Sequence, residues 1–192
     1  VCNDFKIEKQ GQIAIITGSN MAGKSTFLKT AGVNVALAFA GGPVNAEFLE
    51  VVSLKLFTCI KINDSITDGF SFFYAEVRRL RTLLNLVQAN GELPVLFLID
   101  EIFKGTNNKE RLIGSRSYVI ELTKFDAIGL ISTHDLELVS LADHHDEILN
   151  YHFREEVVGG KMVFDYKIRK GPCPTTNALK IMQMEGLPVK FT

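Results

Sequence analysis

Gly18-Ser19-Asn20-Met21-Ala22-Gly23-Lys24-Ser25 fits the pattern G-x-x-x-x-G-K-[ST], and what flanks it decides the fold. The compact apolar run Ile13 to Thr17 precedes it, and a stretch of helical period over residues 25–40 follows, closed by Gly41, Gly42 and Pro43. Strand, glycine loop and helix in that order make a cradle for a phosphate group. Glycines let the backbone wrap the anion, while the loop N–H groups and the positive end of the helix face it. Lys24 then reaches the β and γ phosphates of a nucleotide, and the Ser25 hydroxyl ligates Mg²⁺. Thr26 is either a contact to an α phosphate or an ordinary first-turn helix residue. The bland alternative, a glycine turn with a chance lysine, does not account for the flanking strand and helix.

Outward from the loop, short β-rich apolar runs alternate with longer helical stretches, the pattern of a parallel sheet covered by helices. Residues 51–62 are β-like, and after Gly69 the residues Phe73, Val77, Leu80, Leu84 and Val87 line one helix face. Residues 95–99 are wholly apolar, as a central strand buried on both faces requires, and residues 127–132 look similar after a helix around 111–122. A further helix is expected over residues 135–142. Residues 147–158 and 162–169 read as an edge hairpin turned at Gly159-Gly160, followed by a last helix from about Thr176. The expected fold is α/β, with a mostly parallel sheet flanked by helices, a C-terminal edge hairpin and a closing helix.

Two polar motifs fall at the ends of these strands, where open α/β sheets bind their ligands. Asp100-Glu101 follows the run 95–99; Asp100 suits a magnesium ligand, and Glu101 suits orienting and deprotonating a water. His134, in Ser132-Thr133-His134-Asp135, ends the other run and is placed to sense a γ phosphate, its alternative being a cap or surface histidine. The Asp143-His144-His145-Asp146 cluster has no second group to complete a ligand set and reads as a polar connection.

Composition narrows the class. With 192 residues and 46% hydrophobic content the chain, residues 1–192, is expected to be one cored domain. A net charge of −1 gives no global basic bias of the kind that marks a stand-alone nucleic-acid binder. Cys2, Cys59 and Cys173 are odd in number and far apart, which argues against disulfides or a zinc site and favours a reducing, cytoplasmic setting. No apolar run is long enough to span a bilayer. The first residue is Val1 rather than Met, so the chain is expected to be part of a longer protein.

Taken together, these motifs resemble the ATPase domain of the MutS family, a relative of the ABC ATPases. Ile16 to Thr26 resembles T-G-P-N-M-G-G-K-S-T, departing from it at Ser19 and Ala22. Asp100 to Thr106 resembles D-E-x-x-x-G-T, Ser132-Thr133-His134 resembles A-T-H, and Gly186-Leu187-Pro188 resembles the family's closing G-L-P. The resemblance implies a P-loop fold of the ABC-ATPase type and binding of ATP and Mg²⁺. It also implies that Ser71 reaches the γ phosphate in a partner subunit, although Phe72 stands where the family has threonine and Ser71 could instead cap the following helix. The loop from Gly105 to Asn108 would face the dimer, and the Tyr166 ring would lie against the adenine. A homodimer would move DNA-binding regions outside this chain, in mismatch repair or a related transaction. A nucleotide-gated dimerisation module with little hydrolysis is the alternative; an ABC transporter subunit is disfavoured, since no L-S-G-G-Q occurs.

Overall fold

In the computed structural model, the described residues are 1–60, 72–89, 91–103, 105–159, 161–174, 186 and 188. The strand before the glycine loop, β1 (Ile13–Thr17), is buried along its whole length. After the loop, α1 (Lys24–Phe39) leads out to β2 (Lys55–Cys59), and α2 (Phe72–Gln88) leads back to β3 (Val95–Asp100). Then α3 (Asn108–Leu122) precedes β4 (Ile128–Ser132), and a 3₁₀ segment, Leu136–Asp143, precedes β5 (Ile148–His152). Three short strands follow: β6 (Glu155–Val158), β7 (Lys161–Phe164) and β8 (Arg169–Lys170).

The six-stranded sheet has the order β2-β3-β4-β1-β5-β8. Its first five strands run parallel and β8 pairs antiparallel to β5. The fold is therefore α/β, with a mostly parallel sheet between helical layers. Alternation along each strand splits the core into two. Ile13, Ile15, Phe97 and Ile99 pack with Leu80, Leu83 and Val87 of α2 and Val119 and Leu122 of α3. Ala14, Ile16, Leu96 and Leu98 pack on the other face with Leu28 and Val35 of α1. A strand buried on both faces has no polar alternation to show, which is why these strands read as unbroken apolar runs. Among the described residues, no helix is long and apolar enough to cross a membrane.

The structure corrects the sequence reading in four places. On α2 the buried stripe is Glu76, Leu80, Leu83 and Val87, whereas Phe73 is exposed and Val77 and Leu84 lie on the shoulder. A count of apolar residues alone passes over a buried carboxylate and so turns the face toward Val77. The helix expected over 135–142 is a 3₁₀ segment, in which the three-residue repeat brings Leu138 and Leu141 into line, both fully buried. Residues 147–158 are two strands, since the chain leaves the main sheet at Phe153-Arg154 once the Phe153 ring is buried. The hairpin is thus β6 with β7, a separate two-stranded sheet. Finally, within the β-like stretch 51–62 the described residues 51–60 form strand at Lys55–Cys59, and residues 61 and 62 lie outside the described residues. Ser71, Gly160 and the expected last helix from Thr176 lie outside the described residues.

Candidate functional site at the carboxyl edge of the sheet

Parallel register brings the ends of β1, β3 and β4 level. Ile16 and Asp100 both pair with Ser132, so whatever follows each strand emerges on one edge. The glycine loop leaves β1 through positive φ at Gly18, Met21 and Gly23, and is tightened by a bond from the Ala22 N–H to the Ser19 carbonyl at 3.4 Å. Helix α1 then begins with no side-chain cap and no acidic residue in its first turn, so no carboxylate of that turn faces the positive end of the helix.

Lys24 is 5% exposed, and its ammonium donates to the Gly18 and Ser19 carbonyls at 2.8 Å each. The Ser19 hydroxyl donates to Glu155 Oε2 at 2.7 Å, tying the loop to the start of β6. Asn20 and Met21 stand at the exposed tip, Met21 being 82% exposed, while Ala22 is buried beneath them. Thr26 is exposed on the first turn of α1, where its carbonyl accepts from the Thr30 hydroxyl.

One oxygen of Asp100 gathers two hydroxyls: Ser25 Oγ donates to Oδ1 at 2.8 Å and Ser132 Oγ at 2.5 Å. A hydroxyl and a carboxylate at this spacing are oxygen ligands of the kind a hard divalent cation takes. Next in sequence, Glu101 adopts a left-handed backbone (φ 59°) and its N–H donates to the Ser132 carbonyl at 3.0 Å. Its Oε1 lies 2.8 Å from His134 Nε2, with 25% of the Glu101 side chain and 35% of the His134 side chain exposed. That pair leaves a carboxylate in reach of water, with its direction set by a ring. His134 is in turn held by its successor: Asp135 accepts two bonds from Arg111 of α3, at 2.8 and 2.9 Å. Those bonds push the Arg111 guanidinium further up from its ordinary value.

The Tyr166 ring belongs to the same neighbourhood. Tyr166 has φ 55°, is 45% exposed, and its Cδ1 lies 3.4 Å from where a side chain on Gly23 would begin. Asn3, 163 residues away, grips this segment with both ends of its amide, donating to the Tyr166 carbonyl at 2.9 Å and accepting from Ile168 N–H at 2.8 Å. Arg169 bonds Asp165 across the same turn and holds its carboxyl down at about 2. Of the loop after Glu101, Asn107 is a helix cap, its Oδ1 accepting from the Glu110 N–H at 3.0 Å. Gly105 packs against Phe73, and Thr106 donates to Glu110.

Lys24, Ser25, Asp100, Glu101 and His134, picked from separate stretches of sequence, thus stand together, with Tyr166 beside the glycine loop. Ser71 lies outside the described residues. Sequence reasoning missed Asn3, Arg111 and Glu155. The departure at Ser19 is a signal for the last, because the Ser19 hydroxyl takes Glu155 as its acceptor.

Comparison with known proteins covers nearly the whole chain. The family MutS domain V matches residues 14–192. The DNA mismatch repair protein MutS of Chlorobium phaeobacteroides is 32% identical over 194 residues, covering 98% of this chain and 21% of that protein. Those of Chlorobium phaeovibrioides and Chlorobaculum parvum are 32% identical over 192 and 190 residues, with the same coverage. The chain therefore spans about a fifth (21%) of the length of these relatives. With the family matched over residues 14–192 and relatives 32% identical along 98% of its length, the chain belongs to the MutS family.

Proposed function

We propose that this chain binds ATP with Mg²⁺ and hydrolyses it, as the C-terminal ATPase domain of a MutS-like protein with a P-loop fold of the ABC-ATPase type. One observation carries the proposal: Lys24 and Ser25 after β1, Asp100 and Glu101 after β3, and His134 after β4 converge on one sheet edge. In hydrolysis the Lys24 ammonium turns from the Gly18 and Ser19 carbonyls to the β and γ phosphates, where the loop glycines let the backbone follow. Ser25 and Asp100, 2.8 Å apart, fit a magnesium ion by their oxygen chemistry. Bound there, Mg²⁺ supplies neutralisation of the phosphate charge.

Glu101 takes the proton of the attacking water, and His134 keeps the Glu101 carboxylate directed and meets the γ phosphate. Tyr166 stacks on the adenine, with Asn3 holding its backbone. Two copies form a homodimer around nucleotide, Ser71 of each reaching the other's γ phosphate. DNA is bound by regions outside this chain, whose own net charge of −1 provides no basic surface in bulk. Mismatch repair, or a related DNA transaction, is the process that the named relatives point to.

The direct test is phosphate release from ATP. Turnover is expected to stop in EDTA, and Asp100→Asn is expected to raise the Mg²⁺ concentration for half-maximal rate about 10-fold or more. A rate indifferent to chelation would remove the proposal. Asn3→Ala should weaken ATP binding roughly 3- to 10-fold, the loss of one or two side-chain hydrogen bonds, with little change in the maximal rate. Unchanged affinity in that variant would detach Asn3 and Tyr166 from the nucleotide.

A further inference from the structure

Glu76 is a carboxylate in the interior, 2% exposed, on the face of α2 that otherwise buries Leu80, Leu83 and Val87. Its Oε1 accepts the backbone N–H of Phe103 at 2.5 Å. The buried Cys59 thiol, at the end of β2, is pushed up to about 11, first by burial and then by the Glu76 charge. A buried charge of this kind is costly unless a specific partner holds it, so the site of the partner matters.

Phe103 lies two residues after Glu101, in the same turn. Both residues take left-handed backbone, φ 59° at Glu101 and φ 55° at Phe103, and neither is glycine. Such conformations persist only where surrounding contacts over-determine them. At the first residue the contact is the bond from the Glu101 N–H to the Ser132 carbonyl, 3.0 Å. At the last it is the bond to Glu76. The Phe103 ring adds packing against Tyr118 and Phe73, with centroids 6.1 and 6.4 Å away. Gly105 lies so close that a Cβ there would stand 2.7 Å from the Phe73 Cβ, which fixes the following loop against the first turn of α2. Glu101 and Phe103 are thus tied to different elements, β4 and α2.

We infer that Glu76 is a positioning residue for hydrolysis: by holding the Phe103 N–H it sets the turn that aims Glu101 at the attacking water. The inference rests on the ATPase proposal above and adds to it a residue that touches neither nucleotide nor metal. It predicts that loss of the acceptor slows the chemical step and leaves nucleotide binding alone, because Lys24 and Ser25 sit on α1, on the other side of the sheet.

The test compares Glu76→Ala, Glu76→Met and Glu76→Gln in the intact protein, by turnover, equilibrium binding of a fluorescent ATP analogue with Mg²⁺, and thermal melting. Alanine and methionine remove the acceptor, methionine while filling the volume. Both are expected to lower kcat roughly 10- to 100-fold, the scale of an ångström misplacement, with affinity within about 3-fold of wild type. Glutamine keeps an acceptor and is expected to recover most of the rate. Joined to Glu101→Gln, the methionine substitution should slow turnover no further, since both act through one group. Wild-type kcat in a folded methionine variant, failure of glutamine to recover rate, or additive slowing in the double variant would overturn the inference. A wild-type protein that binds ATP without turnover would instead remove the ATPase proposal. Turnover that is lost in Glu101→Gln yet normal in the Glu76 variants would remove only the role of Glu76.

Discussion

Glu101→Gln is expected to bind ATP and Mg²⁺ nearly as wild type does and to hydrolyse the nucleotide roughly 10²- to 10⁴-fold more slowly, the contribution of a general base. The two side chains have the same length and shape, so the left-handed backbone at Glu101 and its N–H bond to Ser132 are unaffected. What changes is proton affinity: an amide accepts a hydrogen bond from His134 Nε2, now 2.8 Å from the carboxylate, but takes no proton from water. Binding is expected to be spared because, in the proposed site, phosphate and metal are taken by Lys24 and Ser25 in the first turn of α1 and by Asp100 at the end of β3. Phosphate release under single-turnover conditions, set beside equilibrium nucleotide binding, separates the two effects. Turnover at the wild-type rate would mean that Glu101 is not the base.

Gly18→Ala is the second large effect, and it acts on loop and fold together. Gly18 has φ 140°, and a Cβ there would lie 2.5 Å from the Phe153 carbonyl oxygen and 3.3 Å from its carbon. Phe153 has little room to yield. Its N–H donates to the Thr17 carbonyl at 2.9 Å, its side chain is 1% exposed, and its ring packs edge-on to Phe27 at 5.9 Å. Backbone strain of order 1–3 kcal/mol adds to overpacking of similar size, for a total of about 3 kcal/mol or more. Gly41, with φ 71° and nothing within 4 Å of a built Cβ, isolates the first term. Gly41→Ala is expected to cost only about 1–2 kcal/mol. Urea midpoints of the two variants measure the difference, and ATP affinity of Gly18→Ala is expected to fall about 100-fold, because the displaced loop no longer presents its N–H groups together. Equal destabilisation by both alanines would show that contact with Phe153 does not constrain the loop.

The parts of the site that were legible in sequence are those written in consecutive residues. The glycine loop, the acidic pair after 95–99 and His134 each sit next to a strand whose apolar run is unmistakable, because parallel strands covered on both faces admit no polar interruption. Polar residues that support the site left no such mark. Glu76 stands outside the apolar periodicity of α2, and its place in the core is seen only once the Phe103 N–H is found donating to it. Arg111 is one of several charges on α3, and becomes distinct only through its two bonds to Asp135. Asn3 and Tyr166 are 163 residues apart and meet because the 165–170 segment returns along β5.

By itself, then, the sequence determined the strand–loop–helix start, the α/β alternation and the residue types offered at each strand end, since local backbone geometry and burial period are properties of neighbouring residues. Tertiary structure alone decided which ends meet. The excursion from β1 to the far edge at β2 and back through β3 and β4 sets Asp100 between the hydroxyls of Ser25 and Ser132 and brings Glu101 to His134. It also decided that a carboxylate on α2 lies in the core: burial of a charge depends on the partner that meets it, and that partner comes from elsewhere in the chain.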